Sequence, residues 1–256
     1  MRESVLHHER AGDDDAPVLL LGCSLGTSVA MWEPQVAPLA AHLRVIRYDH
    51  RGHGASPVPS GPYEIEDLGR DVLALMDRLG VERASLGGVS LGGMVAMWLG
   101  ANAPDRVDRL VLCCTSAHMP PASAWAERAA KVRAAGTTEV VADAVVDRWL
   151  TPGFAAAHPA TQAWLRSMLL ATDPEGYAAC CGAIERMDLR AAVPAIAAPT
   201  LVVSGADDQA TPPEHQRALA DAIPSARLET LSPAAHIASV ERADEVTELM
   251  LGHLLG

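Results

Sequence analysis

The sequence predicts an α/β fold in which helices cover both faces of a mostly parallel, twisted sheet. Short apolar runs, typical of buried strands, alternate along the chain with longer segments of helical periodicity. The chain has 256 residues, of which 49% are hydrophobic, so it can bury one large core. One stretch in the second half lacks strand-like runs. We therefore expect one α/β core that is interrupted by a helical insertion.

Six short apolar runs are the predicted strands. In a parallel sheet, ligands bind beyond the carboxyl ends of the strands, so functional residues are expected in the loops that follow these runs. In chain order the predicted strands are residues 18–21, 45–48, 84–89, 110–114, 200–203 and the weaker run 227–231.

Segments of helical length separate most of these strands. Residues 91–102 are almost entirely apolar, which indicates a helix buried on all sides. The other predicted helices of the core are residues 65–79, 213–222 and 243–255.

The insertion is predicted to be all-helical and to cover the site as a lid. Helical patterns occupy residues 124–135, 139–150 and 160–171, and Thr151-Pro152-Gly153 is interpreted as a stop between two of them. The expected division is a core of residues 1–115 and 194–256 and a lid of residues 116–193. The alternative is that these are only additional packing helices.

The segment Gly88-Val89-Ser90-Leu91-Gly92 joins a predicted strand to a predicted helix. A serine in such a tight turn is held in a strained backbone conformation, with its oxygen exposed above the helix N-terminus. The small glycines on either side let the chain pass close to itself. The motif therefore predicts that Ser90 is a nucleophile; the alternative is a structural glycine-rich turn.

A serine nucleophile needs a base and a third group that orients the base. His236 is the predicted base, because it follows the last predicted strand and precedes the final helix. Asp207 and Asp208 both follow the fifth strand, and the pattern Gly-x-x-Asp with a proline four residues later favours Asp208. Alternatively, both aspartates only cap the next helix.

Acyl transfer also needs backbone donors for the oxyanion. The predicted donors are the amide of Leu91, directly after the nucleophile, and the amide of Leu25, in the loop after the first predicted strand. Cys23 in the same loop lacks a visible activating partner and is interpreted as packing. His50 and His53 have a spacing that suits a metal pair, but no ligand set accompanies them, so no metal or cofactor is expected.

Charge and cysteine usage limit the partners and the compartment. The formal net charge of −12 makes nucleic acid an improbable partner, and an anionic substrate would need a local arginine or lysine. The number of cysteines, five, is odd, and four of them are direct sequence neighbours in two Cys-Cys dipeptides, which rarely form disulfides. This indicates reduced thiols and a cytoplasmic protein. Residues 1–15 do not resemble a signal peptide, and no apolar run approaches a membrane span.

With these residues in place, the chain resembles the α/β-hydrolase superfamily and, more narrowly, the bacterial 3-oxoadipate enol-lactonases. The most specific segment is Ser24-Leu25-Gly26-Thr27, where most superfamily members carry His-Gly. His50, Gln209 and residues 237–239 depart from the family pattern near the pocket. The remaining matching segments are 47–56, 90–94, 151–154, 168–172, 174–177, 205–208 and 235–236.

The resemblance implies a serine hydrolase that opens the enol-lactone of 3-oxoadipate in aromatic catabolism by the β-ketoadipate route. It implies no cofactor, a small anionic lactone as substrate, and Ser90, His236 and Asp208 as a triad. We expect a lid arginine, Arg128 or Arg133, to pair with the carboxylate of the substrate and Trp125 to form an apolar wall. The alternatives are a carboxylesterase, another lactonase or a cofactor-free perhydrolase of the same fold, and, from a different class, a non-catalytic binding protein.

Overall fold

The computed structural model describes residues 4–256, so residues 1–3 of the predicted core lie outside the described part of the chain. The described residues contain seven strands: β1 (His8–Ala11), β2 (Val18–Gly22), β3 (Arg44–Tyr48), β4 (Ala84–Val89), β5 (Val107–Cys113), β6 (Thr200–Gly205) and β7 (Ala226–Leu231). They form one sheet in the order β1-β3-β2-β4-β5-β6-β7. Only the β1–β3 pair is antiparallel among these strands. The predicted mostly parallel sheet is therefore confirmed.

The centre of the sheet is fully buried, and its edges are not. Every residue of β4 and of β6 is buried, as expected for parallel strands that are covered by helices on both faces. The edge strand β7 is partly buried or exposed at every position except Leu231, which explains its weaker apolar pattern. The other edge strand, β1, was not predicted, because its sequence His8-Glu9-Arg10-Ala11 is polar. It pairs through its backbone with β3, His8 lying opposite Tyr48.

Helices of the core flank the sheet where the sequence predicts them. The helix α3 (Leu91–Asn102) is apolar and packs against the central strands, whereas α2 (Ile65–Arg78) buries one face only. The helix α1 (Glu33–Ala40) was not predicted, because it contains Pro34 and Pro38. The remaining core helices are α9 (Pro213–Ala222), α10 (Ala238–Glu241) and α11 (Ala243–Leu254).

The chain between β5 and β6 is helical, as predicted. Its helices are α4 (Ala122–Ala135), α5 (Glu139–Val146), α6 (Pro152–Ala157), α7 (Pro159–Ala171) and α8 (Pro174–Arg186). No helix runs through Thr151, as the predicted stop requires, but Pro152 and Gly153 begin a further helix that was not predicted. The Thr151 hydroxyl accepts a hydrogen bond from the Phe154 amide and caps the start of α6. The unpredicted α8 begins in the same way, with the Asp173 carboxylate accepting from the Glu175 and Gly176 amides at 2.9 Å.

All five cysteines lie within the described residues, where they are free and buried. Among residues 4–256, no helix combines the length and the apolar character that a membrane crossing requires.

Candidate active site

Ser90 occupies a sharp turn between β4 and α3. Its backbone angles, φ +53° and ψ −112°, lie in a region that non-glycine residues rarely adopt. The turn needs glycine on both sides: a Cβ at Gly88 would overlap the Gly92 backbone, and a Cβ at Gly92 would overlap the Gly22 carbonyl. Hydrogen bonds fix the serine backbone. The Ser90 amide donates to the Cys113 carbonyl at 3.0 Å, and the Thr115 hydroxyl donates to the Ser90 carbonyl at 2.7 Å.

His236 and Asp208 meet at the same edge of the sheet, after β7 and β6 respectively. The Nδ1 atom of His236 lies 3.0 Å and 3.2 Å from the two carboxylate oxygens of Asp208. Asp208 also accepts hydrogen bonds from the Ala210 amide at 2.8 Å, the Thr211 amide at 3.0 Å and the Thr211 hydroxyl at 2.6 Å. Burial alone would raise the pKa of the Asp208 carboxyl, but the nearby His236 and the donors from His236 and Thr211 hold it below its ordinary value.

The adjacent aspartate has a different environment. One Asp207 oxygen accepts a hydrogen bond from the Ala234 amide at 3.2 Å, and the Asp207 amide donates to the Ala234 carbonyl at 2.8 Å. Asp207 thus ties the loop after β6 to the loop that carries His236, whereas Asp208 contacts the imidazole itself.

Ser90 and His236 line one cavity of ≈ 330 Å³, which lies beyond the carboxyl ends of the strands. Ser90 is 8% exposed, His236 3% and Asp208 2%, so these three side chains are largely screened from bulk water. A serine hydroxyl and a histidine that share one cavity, with a buried carboxylate orienting the histidine, are the groups that nucleophilic acyl transfer requires.

The loop that carries Leu25 lies against the same cavity, which Ser24 and Leu25 both line. The Leu91 amide is the first N–H of α3, where a helix offers no internal acceptor. Burial raises the pKa of the Cys23 thiol well above its ordinary value, so it stays protonated in the loop. The two predicted oxyanion donors are therefore brought to the edge of the sheet where Ser90 lies.

Two buried histidines hold this loop. The Gly26 amide donates to Nε2 of His53 at 2.9 Å, and Nε2 of His50 lies 3.1 Å from the Cys23 carbonyl. Burial lowers the pKa of His53 to about 4 and that of His50 to about 3, so both rings are neutral at physiological pH. The His53 nitrogen can therefore accept the Gly26 hydrogen bond. The sequence analysis did not find this role for the pair.

The helical insertion supplies the wall of the cavity opposite the sheet. Trp125 and Arg128 of α4 line it, with the Arg128 guanidinium 4.5 Å from the centre of the Trp125 ring. Arg133 does not line this cavity: its guanidinium makes two hydrogen bonds of 2.8 Å to Glu175 on the outer surface. The expectation that Arg133 contacts the substrate is thus corrected, because Glu175 holds the Arg133 guanidinium in an ion pair away from this cavity.

Two further lining residues, Arg148 and Tyr177, were missed by the sequence analysis. Arg148 follows α5, and Tyr177 lies in the unpredicted helix α8. Only the folding of the insertion over the sheet shows that these side chains reach the cavity.

A family model described as the alpha/beta hydrolase fold matches residues 16–243 of the chain. The sheet order, the serine turn and this match define the class, and the chain belongs to the α/β-hydrolase family.

More specific relatives agree with the resemblance seen in the sequence. The chain is 39% identical to a 3-oxoadipate enol-lactonase from Acinetobacter baylyi, over 94% of this chain and 90% of that protein. It superposes on the crystal structure of an enol-lactonase from Burkholderia xenovorans LB400 with a TM-score of 0.96 and 44% identity, covering 99% and 97% of the two chains. It is also 34% identical to a putative carbamate hydrolase RutD from Variovorax paradoxus, over 97% and 96%. The resemblance to the 3-oxoadipate enol-lactonases is confirmed, and the chain is a hydrolase.

Proposed function

We propose that the protein hydrolyses the enol-lactone of 3-oxoadipate through an acyl-enzyme, with Ser90 as nucleophile, His236 as base and Asp208 as the group that orients His236. The observation that carries this proposal is the hydrogen-bonded Asp208–His236 pair, at 3.0 Å, beside the cavity that Ser90 also lines. The named enol-lactonase relatives support the choice of substrate. The expected setting is a β-ketoadipate route of aromatic catabolism.

In the first half of the reaction, the Ser90 oxygen attacks the lactone carbonyl carbon while His236 takes the hydroxyl proton. The amides of Leu25 and Leu91 hold the oxyanion of the tetrahedral intermediate. The ring C–O bond then breaks, and the ring oxygen leaves as an enolate that takes the proton from His236. Because the leaving oxygen stays tethered, the ring could close again, but tautomerisation of the enol to the ketone removes that return path.

In the second half, His236 takes a proton from a water molecule whose oxygen attacks the acyl carbon. The bond from the acyl carbon to the Ser90 oxygen breaks, and Ser90 regains its proton from His236. The product carries two carboxylates, one of them newly formed.

The substrate carries an acetate arm that is ionised at neutral pH. We propose that Arg128 binds this carboxylate and that Trp125 forms an apolar wall, because both line the cavity beside Ser90. We further propose that residues 116–193 act as a lid on a core of residues 1–115 and 194–256. The free, buried cysteines support a cytoplasmic location.

The test compares two substrates with the purified protein and with Ser90→Ala. One substrate is 3-oxoadipate enol-lactone generated in situ, and the other is a neutral aryl ester. We expect fast lactone opening that Ser90→Ala abolishes, with weak turnover of the ester. Ester or carbamate hydrolysis without lactone opening would overturn the proposed substrate. It would instead support a carboxylesterase or a carbamate hydrolase similar to RutD.

A further inference from the structure

Two arginines face the Ser90 cavity without a carboxylate partner. Arg128 and Arg148 both line it and are half-buried, and neither forms an ion pair with any residue of the described chain. Elsewhere in this acidic protein, arginines are paired with carboxylates as a rule; examples are Arg47, Arg133 and Arg186. Burial and the neighbouring charge of Arg128 lower the pKa of Arg148, as expected for two cations that lack a counter-ion.

A third donor group, the Tyr177 hydroxyl, lines the cavity with these cations. Tyr177 is fully buried and lines the same cavity, and its hydroxyl donates to no acceptor among residues 4–256. Burial raises the pKa of Tyr177, while the charge and hydrogen bond of the Arg128 guanidinium and the charge of Arg148 act on it in the opposite direction. The hydroxyl is therefore protonated at neutral pH, able to donate a hydrogen bond, and close to both guanidinium groups. The ring is fixed, since it packs against Gly26 beside the proposed oxyanion donor Leu25.

A buried polar group without a partner in a protein interior is costly, and so are two like charges in one partly buried cavity. A single bound carboxylate would remove both costs. Its two oxygens offer about four acceptor positions, enough for two guanidinium groups and one hydroxyl. No carboxylate of the chain fills this place within the described residues.

We propose that Arg148 and Tyr177 complete, with Arg128, an anion subsite that selects esters and lactones carrying a carboxylate a few bonds from the reacting carbonyl. This inference rests on the proposed function, because it uses Ser90 as the reacting group. It extends that function from one lactone to a substrate class, and it makes two residues outside the triad determinants of specificity. A neutral ester of equal length leaves the two guanidinium charges without a counter-ion and gains nothing from the three groups.

The test uses a matched pair of substrates: 4-nitrophenyl hydrogen adipate, which bears a carboxylate, and 4-nitrophenyl hexanoate, which has the same acyl length and none. Arg148→Met should raise KM for the adipate ester about 10- to 100-fold, and Tyr177→Phe should raise it about fivefold, because each removes one charged or neutral donor. Turnover of hexanoate should stay within about twofold. Arg133→Met, outside the cavity, is the matched control and should leave both substrates unchanged.

Binding of adipate to the Ser90→Ala protein, followed by calorimetry, separates the two proposals. Adipate binding that Arg148→Met weakens at least tenfold supports the subsite even where the lactone is not hydrolysed. Equal losses on both esters in Arg148→Met would assign the arginine a structural role, and unchanged adipate binding in Arg148→Met and Tyr177→Phe would overturn the subsite. Lactone opening with no adipate binding would retain the proposed function and reject the subsite alone.

Discussion

At the scale of single residues, the candidate site depends on a backbone that only a few side chains permit. Ser90 has a positive φ, and the glycines beside it leave no space for a Cβ. Strain of this kind costs about 1–3 kcal/mol and persists only where the surroundings enforce it. Here the Cys113 carbonyl and the Thr115 hydroxyl hold the serine backbone from the neighbouring strand and its loop. The strain places the hydroxyl at the cavity.

Replacing the two adjacent aspartates separately tests the orienting role. Asp208→Asn should lower kcat by about 10³- to 10⁴-fold, because the amide cannot both keep the His236 tautomer and stabilise the imidazolium. Asp207→Asn should change kcat by less than about threefold, since its oxygen can still accept from the Ala234 amide. Steady-state kinetics on the Ser90-dependent substrate measure both. A loss in Asp207→Asn as large as that in Asp208→Asn would reject the assignment.

The structure brings together the candidate residues that follow strand ends in a local motif, and these could be named from the sequence. Ser90 and His236 could be found in this way, because a motif or a position after a strand singles each of them out. Arg148 and Tyr177 could not, since their approach to the cavity is set by how the insertion folds over the sheet. Arg133 is the opposite case, a residue that was predicted to contact the substrate and lies outside the cavity. It shares α4 with Arg128, but Glu175 holds it on the surface.

At the scale of elements, the loop between β2 and α1 depends on side chains from the loop after β3. His53 accepts from the Gly26 amide, and His50 contacts the Cys23 carbonyl, which also accepts from the Gly92 amide at 3.0 Å. The two loops and the start of α3 are thereby fixed to one another. Leu25 lies between the two anchored positions.

Removing one anchor should therefore affect the transition state more than substrate binding. His53→Ala leaves the Gly26 amide unpaired and frees the Leu25 amide, so kcat should fall about 10- to 100-fold, less than the loss of a whole oxyanion donor. KM should change less than threefold. His53→Gln can still offer an acceptor and should recover part of kcat, which a merely destabilising role would not explain. Exposed His42→Ala is the control, and an unchanged kcat in His53→Ala would contradict the positioning role.

The elements that sequence reasoning missed share one physical cause. The polar strand β1 exists because the edge of β3 offers backbone hydrogen bonds, and α1 forms although its two prolines weaken the helical pattern. The helix α8 packs its small residues closely: its Gly176 lies against the backbone of Gly52. In each case tertiary contacts outweigh local propensity. The strands and helices with a strong apolar period were predicted, with their ends shifted by a few residues.

At the scale of the whole molecule, the buried histidines make stability depend on pH. In the native protein the pKa values are about 3 for His50 and about 4 for His53, because burial disfavours their charged forms. In the unfolded chain a histidine titrates near about 6.5. Between these values the unfolded state binds more protons than the native state. The stabilisation from both rings is complete above about pH 6.5 and is lost progressively as the pH falls toward 4. Burial raises the pKa of Asp71, so the contribution of this one carboxyl to stability changes with pH in the opposite direction.

Urea unfolding at pH 7.5, 6.5, 5.5 and 4.5 should show this dependence directly. Each histidine contributes at most about 1.4 kcal/mol per pH unit, so the free energy of unfolding should fall steeply below pH 6.5. His50→Asn keeps a donor toward the Cys23 carbonyl but cannot titrate. It should therefore make the free energy of unfolding depend less steeply on pH, by the contribution of one histidine. His42→Asn, at an exposed position, should leave the slope unchanged. An identical slope in His50→Asn and the unaltered protein would show that acid sensitivity comes from groups other than the histidines that hold the loop with Leu25.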